Sequence, residues 1–235
     1  MTRPTARQLA LILSPWLLVV LGVAGAHFGV LGPYLGFRLF LIGGILAALV
    51  GVAAAFGFRR DGPWLLALVS GLAAPIGLIG PSLGSLGVPA VNDVSTDLED
   101  PPVIDPERAD GDVPLGDVSF PADTAETVRA AYLEGPDAIG TLSLPRLDRA
   151  IDASISCLRD EGTELVDFAG GSDTLQATYT TSIFRFPDDV AVRVRTRDGA
   201  VRVDVRSRSR VGKSDLGVNA ARIRRILACV EERAG

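Results

Sequence analysis

The stretch DVAVRVRTRDGAVRVDVRSR, residues 189–208, decides the fold of the C-terminal half of this 235-residue chain. Apolar and polar residues alternate on both sides of Asp198-Gly199, a dipeptide typical of the two-residue turns that join antiparallel strands. The alternation predicts a β-hairpin with a buried face that carries six valines: Val190, Val192, Val194, Val201, Val203 and Val205. On the opposite face, three pairs of side chains lie directly across from each other: Arg193 and Asp204, Asp189 and Arg208, and Arg195 and Arg202.

Segments on both sides of the hairpin complete an α+β domain over residues 122–235. Apolar residues at helical spacing predict one helix over residues 145–160 and a C-terminal helix that begins near Val218. Residues 164–168 and the Thr-rich segment 174–182 are typical of strands, with Gly170-Gly171 as a turn between them. We therefore expect an antiparallel sheet of about four strands, with the two helices packed on the valine face.

The first 84 residues predict a membrane anchor of three transmembrane helices. Apolar stretches at residues 9–30, 39–58 and 63–83 each provide the ~20 residues that a helix needs to cross a bilayer. Arginines lie before the first stretch and between the second and third, which predicts a cytoplasmic N-terminus. Four arginines carry this prediction, Arg3, Arg7, Arg59 and Arg60, whereas Arg38 alone lies between the first two stretches.

Three crossings would place the C-terminal domain in the periplasm of a bacterium, anchored in the inner (cytoplasmic) membrane. The tripeptide Ala24-Gly25-Ala26 resembles a signal-peptidase site, so cleavage of the first span stays open. Cleavage would leave two spans, with the domain still outside.

Charge separates the two halves of the chain. The formal net charge is −5, but residues 1–90 sum to +4 and residues 91–235 to −9. The negative balance argues against a nucleic-acid partner. Acidic residues concentrate around the Pro-rich segment 85–121, which we expect to be an extended, solvated linker.

Three segments of the C-terminal half together resemble a known family. They are VDVRSRSRVGKSDLGVNAARI (203–223), FPDDVAVRV (186–194) and NDVSTDLEDPP (92–102). The long motif and its two companions resemble the family called domain of unknown function 1499, over about residues 91–233. The resemblance implies a shared fold and a shared surface, and it supplies no activity.

The 203–223 motif has two interpretations. As a binding site, its cations and a helix N-terminus would converge on an anion or a glycan; the candidate residues are Arg206, Arg208, Arg210, Lys213, Ser214, Asn219 and Arg222. As a structural element, Asp189, Arg206, Asp215, Asn219 and Arg222 would form a network that fixes the C-terminal helix to the hairpin, with Ser214 or Asp215 as its cap. Arg193 and Asp204 are further structural candidates.

Catalytic chemistry has little support in the sequence. The single histidine, His27, lies in the apolar half, so the C-terminal domain has no Ser-His-Asp or Cys-His pair. Gly212-Lys213-Ser214 is not a phosphate-binding loop, because Ser207 stands where that motif needs glycine. We name no catalytic residue, metal site or cofactor.

Cys157 and Cys229 are the only cysteines, and a disulfide between them stays open. An oxidising compartment permits the bond. In a simple four-strand meander, however, the two residues would be offset by ~10 Å along antiparallel helices, beyond disulfide range.

These observations favour a non-catalytic binding or scaffolding module for an envelope component, such as an anionic glycan, a lipid headgroup or a protein. One alternative is a carrier of lipids or other hydrophobic ligands, which needs an apolar pocket between sheet and helices. A carboxylate-based hydrolase, which needs two facing acids in a cleft, is less favoured. The oligomeric state stays open.

Overall fold

The computed structural model describes residues 4–58, 63–83, 87–106, 113–114, 116–135, 138–162, 164–166 and 173–235. It divides the chain into two compact units. The helical unit contains residues 1–86 and 182–185, and the sheet unit contains residues 87–181 and 186–235. Arg3, Arg59, Arg60 and the predicted Gly170-Gly171 turn lie outside the described residues.

Three helices form the helical unit: α1 (Ala6–His27), α2 (Pro33–Gly57) and α3 (Trp64–Leu83). Thr5 caps α1, because its hydroxyl accepts a hydrogen bond from the Gln8 amide while the Gln8 side chain accepts one from the Thr5 amide. The first two helices are long and apolar enough to cross a membrane. The described apolar segment of α3, Trp64–Ala73, is shorter than a crossing requires, so the structure supports two of the three predicted spans.

Glycines allow the helices of this unit to approach closely. A Cβ atom on Gly22 would lie 2.5 Å from the carbonyl oxygen of Gly36, so only glycine fits there. Trp16 Nε1 also donates a hydrogen bond of 2.8 Å to Ser70 Oγ, which connects α1 to α3.

The sheet unit contains six antiparallel strands, where the sequence predicted about four. Five strands follow the order β1-β6-β5-β4-β3, and β2 also pairs with β6, beyond the end of β1. The strands are β1 (Asp93–Ser95), β2 (Leu142–Leu144), β3 (Glu164–Val166), β4 (Thr174–Thr180), β5 (Pro187–Arg197) and β6 (Ala200–Ser209). The helices are α4 (Ala122–Val128), continued by a π-helical turn over Arg129–Leu133, α5 (Leu147–Asp160) and α6 (Val218–Ala234).

The predicted hairpin register is confirmed. Val192 pairs with Val205 and Arg193 with Asp204, and the turn is Asp198-Gly199. All six valines of the predicted face are buried, where they pack with residues of α4, α5 and α6 in one hydrophobic core. Helices therefore cover one face of the sheet, as the alternation predicts.

The predicted linker over residues 85–121 is wrong for much of its length. The sheet unit begins at Gly87, β1 pairs with β6, and Ile104 and Val113 are buried. The chain between β1 and α4 lies against the polar face of the sheet, because arginines of that face donate hydrogen bonds to its backbone carbonyls. We call the described residues 96–106, 113–114 and 116–120 the covering segment.

Cys157 and Cys229 form a disulfide, with Cα atoms 5.9 Å apart. The predicted offset of ~10 Å assumed helices that lie along the strands of a meander. Instead, α5 follows β2 at one edge of the sheet and leads to β3 at the other. It must therefore cross the strands, and its C-terminal part meets α6 at the disulfide.

Candidate functional site

Arg206 makes four hydrogen bonds on the polar face. Its guanidinium binds the Asp93 carboxylate through two hydrogen bonds, of 3.0 and 2.7 Å, and both residues are buried. It also donates to the carbonyl oxygens of Pro102 (3.3 Å) and Val118 (2.9 Å). One side chain therefore joins β6, β1 and two parts of the covering segment.

Arg193 likewise joins the sheet to the covering segment, near the hairpin turn. It donates to Asp204 Oδ2 and Asp97 Oδ2, each at 3.1 Å, and to the carbonyl oxygen of Asp100 at 2.7 Å. Arg195 faces Arg202 across the strands, and acids relieve this contact between like charges. Arg195 binds the Asp100 carboxylate at 2.8 Å, while Arg202 binds Asp198 at 3.2 Å.

Arg210 and Arg208 lie at the opposite end of β6. Arg210 binds both oxygens of Asp189, at 2.8 and 2.7 Å, and donates to the carbonyl oxygen of Val113 at 3.0 Å. Arg208 is largely buried, with Nε 3.8 Å from an oxygen of Asp93. Both guanidinium groups therefore face carboxylates already held by the fold.

A second polar cluster lies on the helix side of the sheet. Arg222 of α6, which is fully buried, donates to Asp188 Oδ2 at 2.7 Å, Ser207 Oγ at 2.8 Å and Asn219 Oδ1 at 2.7 Å. Its guanidinium also lies 4.3 Å from the ring centre of Tyr179, within range of a cation–π interaction. This cluster fixes the start of α6 to β5 and β6.

Burial and pairing shift the pKa values of these carboxyls in opposite directions. Burial raises the pKa of Asp93 and of Asp188, although their arginine partners act against the shift. The exposed Asp100 behaves differently, because its hydrogen bond from Arg195 lowers its pKa. The buried acids are therefore held by arginine at a desolvation cost, as in ion pairs that fix a structure.

The five residues expected to form one network are divided between two sides of the sheet. Asp189 and Arg206 lie on the polar face, where they bind Arg210 and Asp93 rather than α6. Asn219 and Arg222 lie on the helix side. Asp215 precedes α6 and accepts hydrogen bonds from the amides of Gly217 (2.8 Å) and Asn219 (2.7 Å).

The seven residues proposed for an anion site are not brought together. Arg206, Arg208 and Arg210 point to the polar face, and Asn219 and Arg222 lie on the other side. Lys213 is exposed in the turn before α6, where Ser214 Oγ accepts a hydrogen bond from the Leu216 amide. Two carboxylates serve the three arginines, because Asp93 lies near both Arg206 and Arg208 and Asp189 binds Arg210. An anion arriving there would compete with these carboxylates, although Arg208 Nη1 is buried without a hydrogen-bond partner among the described residues.

A comparison with known families includes both the 203–223 motif and the covering segment in one match. A family model described as "Protein of unknown function (DUF1499)" matches residues 93–230. The chain belongs to the DUF1499 family. The match begins at Asp93, the partner of Arg206, so the DUF1499 region includes β1 and the covering segment along with the hairpin and α6. No curated protein matches the chain.

A groove at the hairpin-turn end of the DUF1499 region was missed from the sequence. Its volume is about 350 Å³, and its walls are residues 96–99, Arg129 and Leu133 after α4, Thr141, and the turn residues 197, 198 and 202. The lining contains three acids and three arginines, so its formal charge is zero. The groove could not be anticipated, because one wall belongs to the segment that was predicted to be a solvated linker.

The buried carboxylates of the sheet face arginines. Each of the four buried acids of the sheet, namely Asp93, Asp188, Asp189 and Asp204, has an arginine nitrogen within 3.1 Å. In the part of the chain that the structure describes, no three His, Cys, Asp or Glu side chains are grouped to hold a metal ion.

Proposed function

We propose that this chain is a membrane-anchored, non-catalytic binding or scaffolding module of the bacterial cell envelope. Its helical unit would cross the cytoplasmic membrane three times, and its DUF1499 region would lie on the periplasmic side. The two long apolar helices and the arginines at the N-terminus support the anchor and its orientation. The Cys157–Cys229 disulfide supports the location, because such bonds persist in oxidising compartments.

The groove at the hairpin turn is the observation that carries the binding proposal. It is a recess whose lining carries six charged side chains, whereas Arg206 and Arg210 of the 203–223 motif are held in buried ion pairs within the fold. Glu99 and Arg129 form an ion pair of 2.9 Å on its rim, and both side chains are exposed. Exposed pairs of this kind contribute little to stability, so they can exchange partners at small cost.

The charge of the groove favours a protein partner over an anionic glycan or a lipid headgroup. Its walls contain three acids and three arginines. A polyanion would meet as many repulsive as attractive groups, whereas a peptide segment that carries both signs can pair with each wall.

A carrier of hydrophobic ligands has less support. The valine face is filled by side chains of α4, α5 and α6, including Val128, Leu158 and Ile226, each nearly inaccessible to solvent. Each of the described grooves includes charged residues in its lining. For the hydrolase alternative, the buried carboxylates face arginines rather than one another.

Site-specific photo-crosslinking in intact cells tests the binding proposal. We would place a benzoylphenylalanine residue at Glu99 on the groove rim of the full chain, and a control at the exposed Glu232 of α6. We expect one discrete protein adduct from position 99 that is absent at position 232 and lost in an Arg129→Glu background. No adduct, or equal adducts at both positions, would overturn the proposal. An adduct to glycan or lipid would replace the protein partner.

The disulfide provides a test of location that is independent of the partner. In spheroplasts, a membrane-impermeant maleimide should label Cys157 and Cys229 only after treatment with an impermeant reductant. Labelling that requires permeabilised membranes, or that occurs without reductant, would argue against a periplasmic DUF1499 region.

A further inference from the structure

The segment that joins β4 to β5 carries an apolar tip, residues 182–185, that belongs to the helical unit. A hydrogen bond of 2.9 Å from the Thr181 amide to the Phe186 carbonyl closes the base of this tip, and the Phe186 amide donates to Thr181 Oγ1 at 2.9 Å. The tip is therefore an ordered turn, with Ser182-Ile183-Phe184-Arg185 projecting from its base.

The tip contacts the ends of the two candidate spans. His27 Nδ1, at the end of α1, lies 2.8 Å from the carbonyl oxygen of Ser182. The Phe184 ring packs on Phe37 and Phe40 near the start of α2, with centroid distances of 5.2 and 5.3 Å. The tip is thus at the level where α1 ends and α2 begins.

Apolar side chains at this level remain exposed. Ile183 is 54% exposed, and in the turn between α1 and α2, Phe28 is 77% and Val30 79% exposed. Isolated exposed apolar residues are ordinary on a soluble surface. Here, however, Phe28 and Val30 follow His27 in the chain, and Ile183 follows Ser182, the residue that His27 contacts. Tyrosine and tryptophan mark the level at which a helix leaves the hydrocarbon core, and the exposed Tyr34 lies at this level near the start of α2.

We propose that residues 182–185 insert into the periplasmic leaflet, with Ile183 at the boundary between headgroups and acyl chains and Arg185 binding lipid phosphate. This inference rests on the proposed membrane crossing of α1 and α2. Lipid is the occupant that the structure favours, because α1 and α2 expose many apolar side chains and the exposed Phe28, Val30 and Ile183 stand at or beside the ends of these helices. Arginine beside an inserted apolar residue is the pattern of interfacial segments that bind anionic lipids.

Depth-dependent fluorescence quenching tests this insertion. The full chain, with its disulfide intact, would be labelled with a nitrobenzoxadiazole dye at an Ile183→Cys substitution and placed in nanodiscs of phosphatidylcholine and phosphatidylglycerol. We expect a blue-shifted emission and a loss of fluorescence that is larger with nitroxide at the headgroup or upper acyl chain than with nitroxide near the bilayer centre.

Two matched positions separate this inference from the proposed anchor. A probe at Leu49→Cys, which is exposed within α2, should be quenched most by the deep nitroxide. A probe at Val103→Cys, which is exposed in the sheet unit, should be quenched by neither the shallow nor the deep nitroxide. If Ile183→Cys behaves like Val103→Cys while Leu49→Cys is quenched, the insertion is refuted and the anchor stands. If Leu49→Cys is unquenched, the anchor itself fails.

A charge variant provides the second measurement. Because Arg185 is exposed and lies outside the β-strands, Arg185→Glu should leave the fold intact. It should reduce quenching at the Ile183→Cys probe in discs that contain phosphatidylglycerol. Unchanged quenching would refute the role of Arg185 in lipid binding.

Discussion

Replacement of Arg206 by methionine should release the covering segment. Methionine preserves much of the apolar stem but removes four hydrogen bonds, two to Asp93 and one each to the carbonyls of Pro102 and Val118. It leaves the Asp93 carboxylate buried without its closest cation. Breaking a buried pair at one partner typically costs about 3–5 kcal/mol, and we expect a loss in that range at pH 7.

The pH dependence of the same variant gives a second signature. Burial already raises the pKa of Asp93, and removal of Arg206 takes away the strongest opposing effect. A carboxyl whose pKa is higher in the folded than in the unfolded chain favours folding most below its unfolded pKa, about 3.9, and this contribution is lost as pH rises through the folded pKa. Acidification should therefore partly restore the stability of Arg206→Met relative to the native chain.

Hydrogen exchange of the full chain in detergent micelles measures both effects. Arg206→Met should reduce protection of the amides in residues 96–106 and 116–120 and in β6. Arg202→Met is the matched control on the same strand, because Arg202 has a single exposed partner, Asp198, and should lose no more than about 1 kcal/mol. Protection within 1 kcal/mol of the native chain in Arg206→Met, or equal losses in both variants, would refute the reasoning.

Three further predictions follow from the other contacts. Joint replacement of Cys157 and Cys229 by alanine should lower the free energy of unfolding by about 2–5 kcal/mol, because the disulfide closes a long loop. Denaturant titration measures this free energy, and an unchanged value would show that the disulfide does not constrain the unfolded chain. Asp188→Asn and Arg222→Met should each lower the free energy of unfolding by about 3–5 kcal/mol, and the double variant should lose less than the sum of the two. Strict additivity of the losses in thermal unfolding would contradict a coupled pair. The hydrogen bond from Arg225 of α6 lowers the pKa of Glu161. Glu161→Gln should therefore lower the free energy of unfolding by up to about 1 kcal/mol above pH 5, and this difference should vanish as pH falls through the folded pKa of Glu161. A loss of stability that is the same at acid and neutral pH would refute the ion pair.

The hairpin and its neighbours could be predicted because their signals are local. Alternation around Asp198-Gly199 determines which residues face each other, and the structure confirms both the register and the buried valines. The start of α6 is equally local, since Asp215 accepts from backbone amides two and four residues later.

The covering segment could not be predicted because its partners are distant. Arg206 and Arg210 bind backbone carbonyls that lie 88 or more residues earlier, and a carbonyl acceptor leaves no mark on the sequence. The acidic, Pro-rich composition of residues 85–121 describes a solvated linker equally well. Composition fails here because the acids near β1 neutralise arginines of the sheet rather than repel one another in water.

The division of the candidate network into two was within reach of the sequence. Asp188 and Asp189 are neighbours on one strand and must therefore serve opposite faces. Alternation puts Asp189 and Arg206 opposite the valine face, whereas the sequence already predicts that the C-terminal helix, which carries Arg222, packs on the valine face. The disulfide was harder, because the path of α5 depends on the pairing of β2 with β6.

The arginines of β5 also guard the chain against misfolding. Valine-rich strands with simple alternation can slip by one residue during pairing, and such a slip turns every side chain to the wrong face. In this sheet, a slipped β5 would turn Arg193 and Arg195 toward the hydrophobic core, away from the acids that hold them on the polar face. Two desolvated charges without partners would make the wrong register far less stable than the native one. Arg193 and Arg195 thus act as a check on strand alignment in a segment whose valines alone would tolerate error.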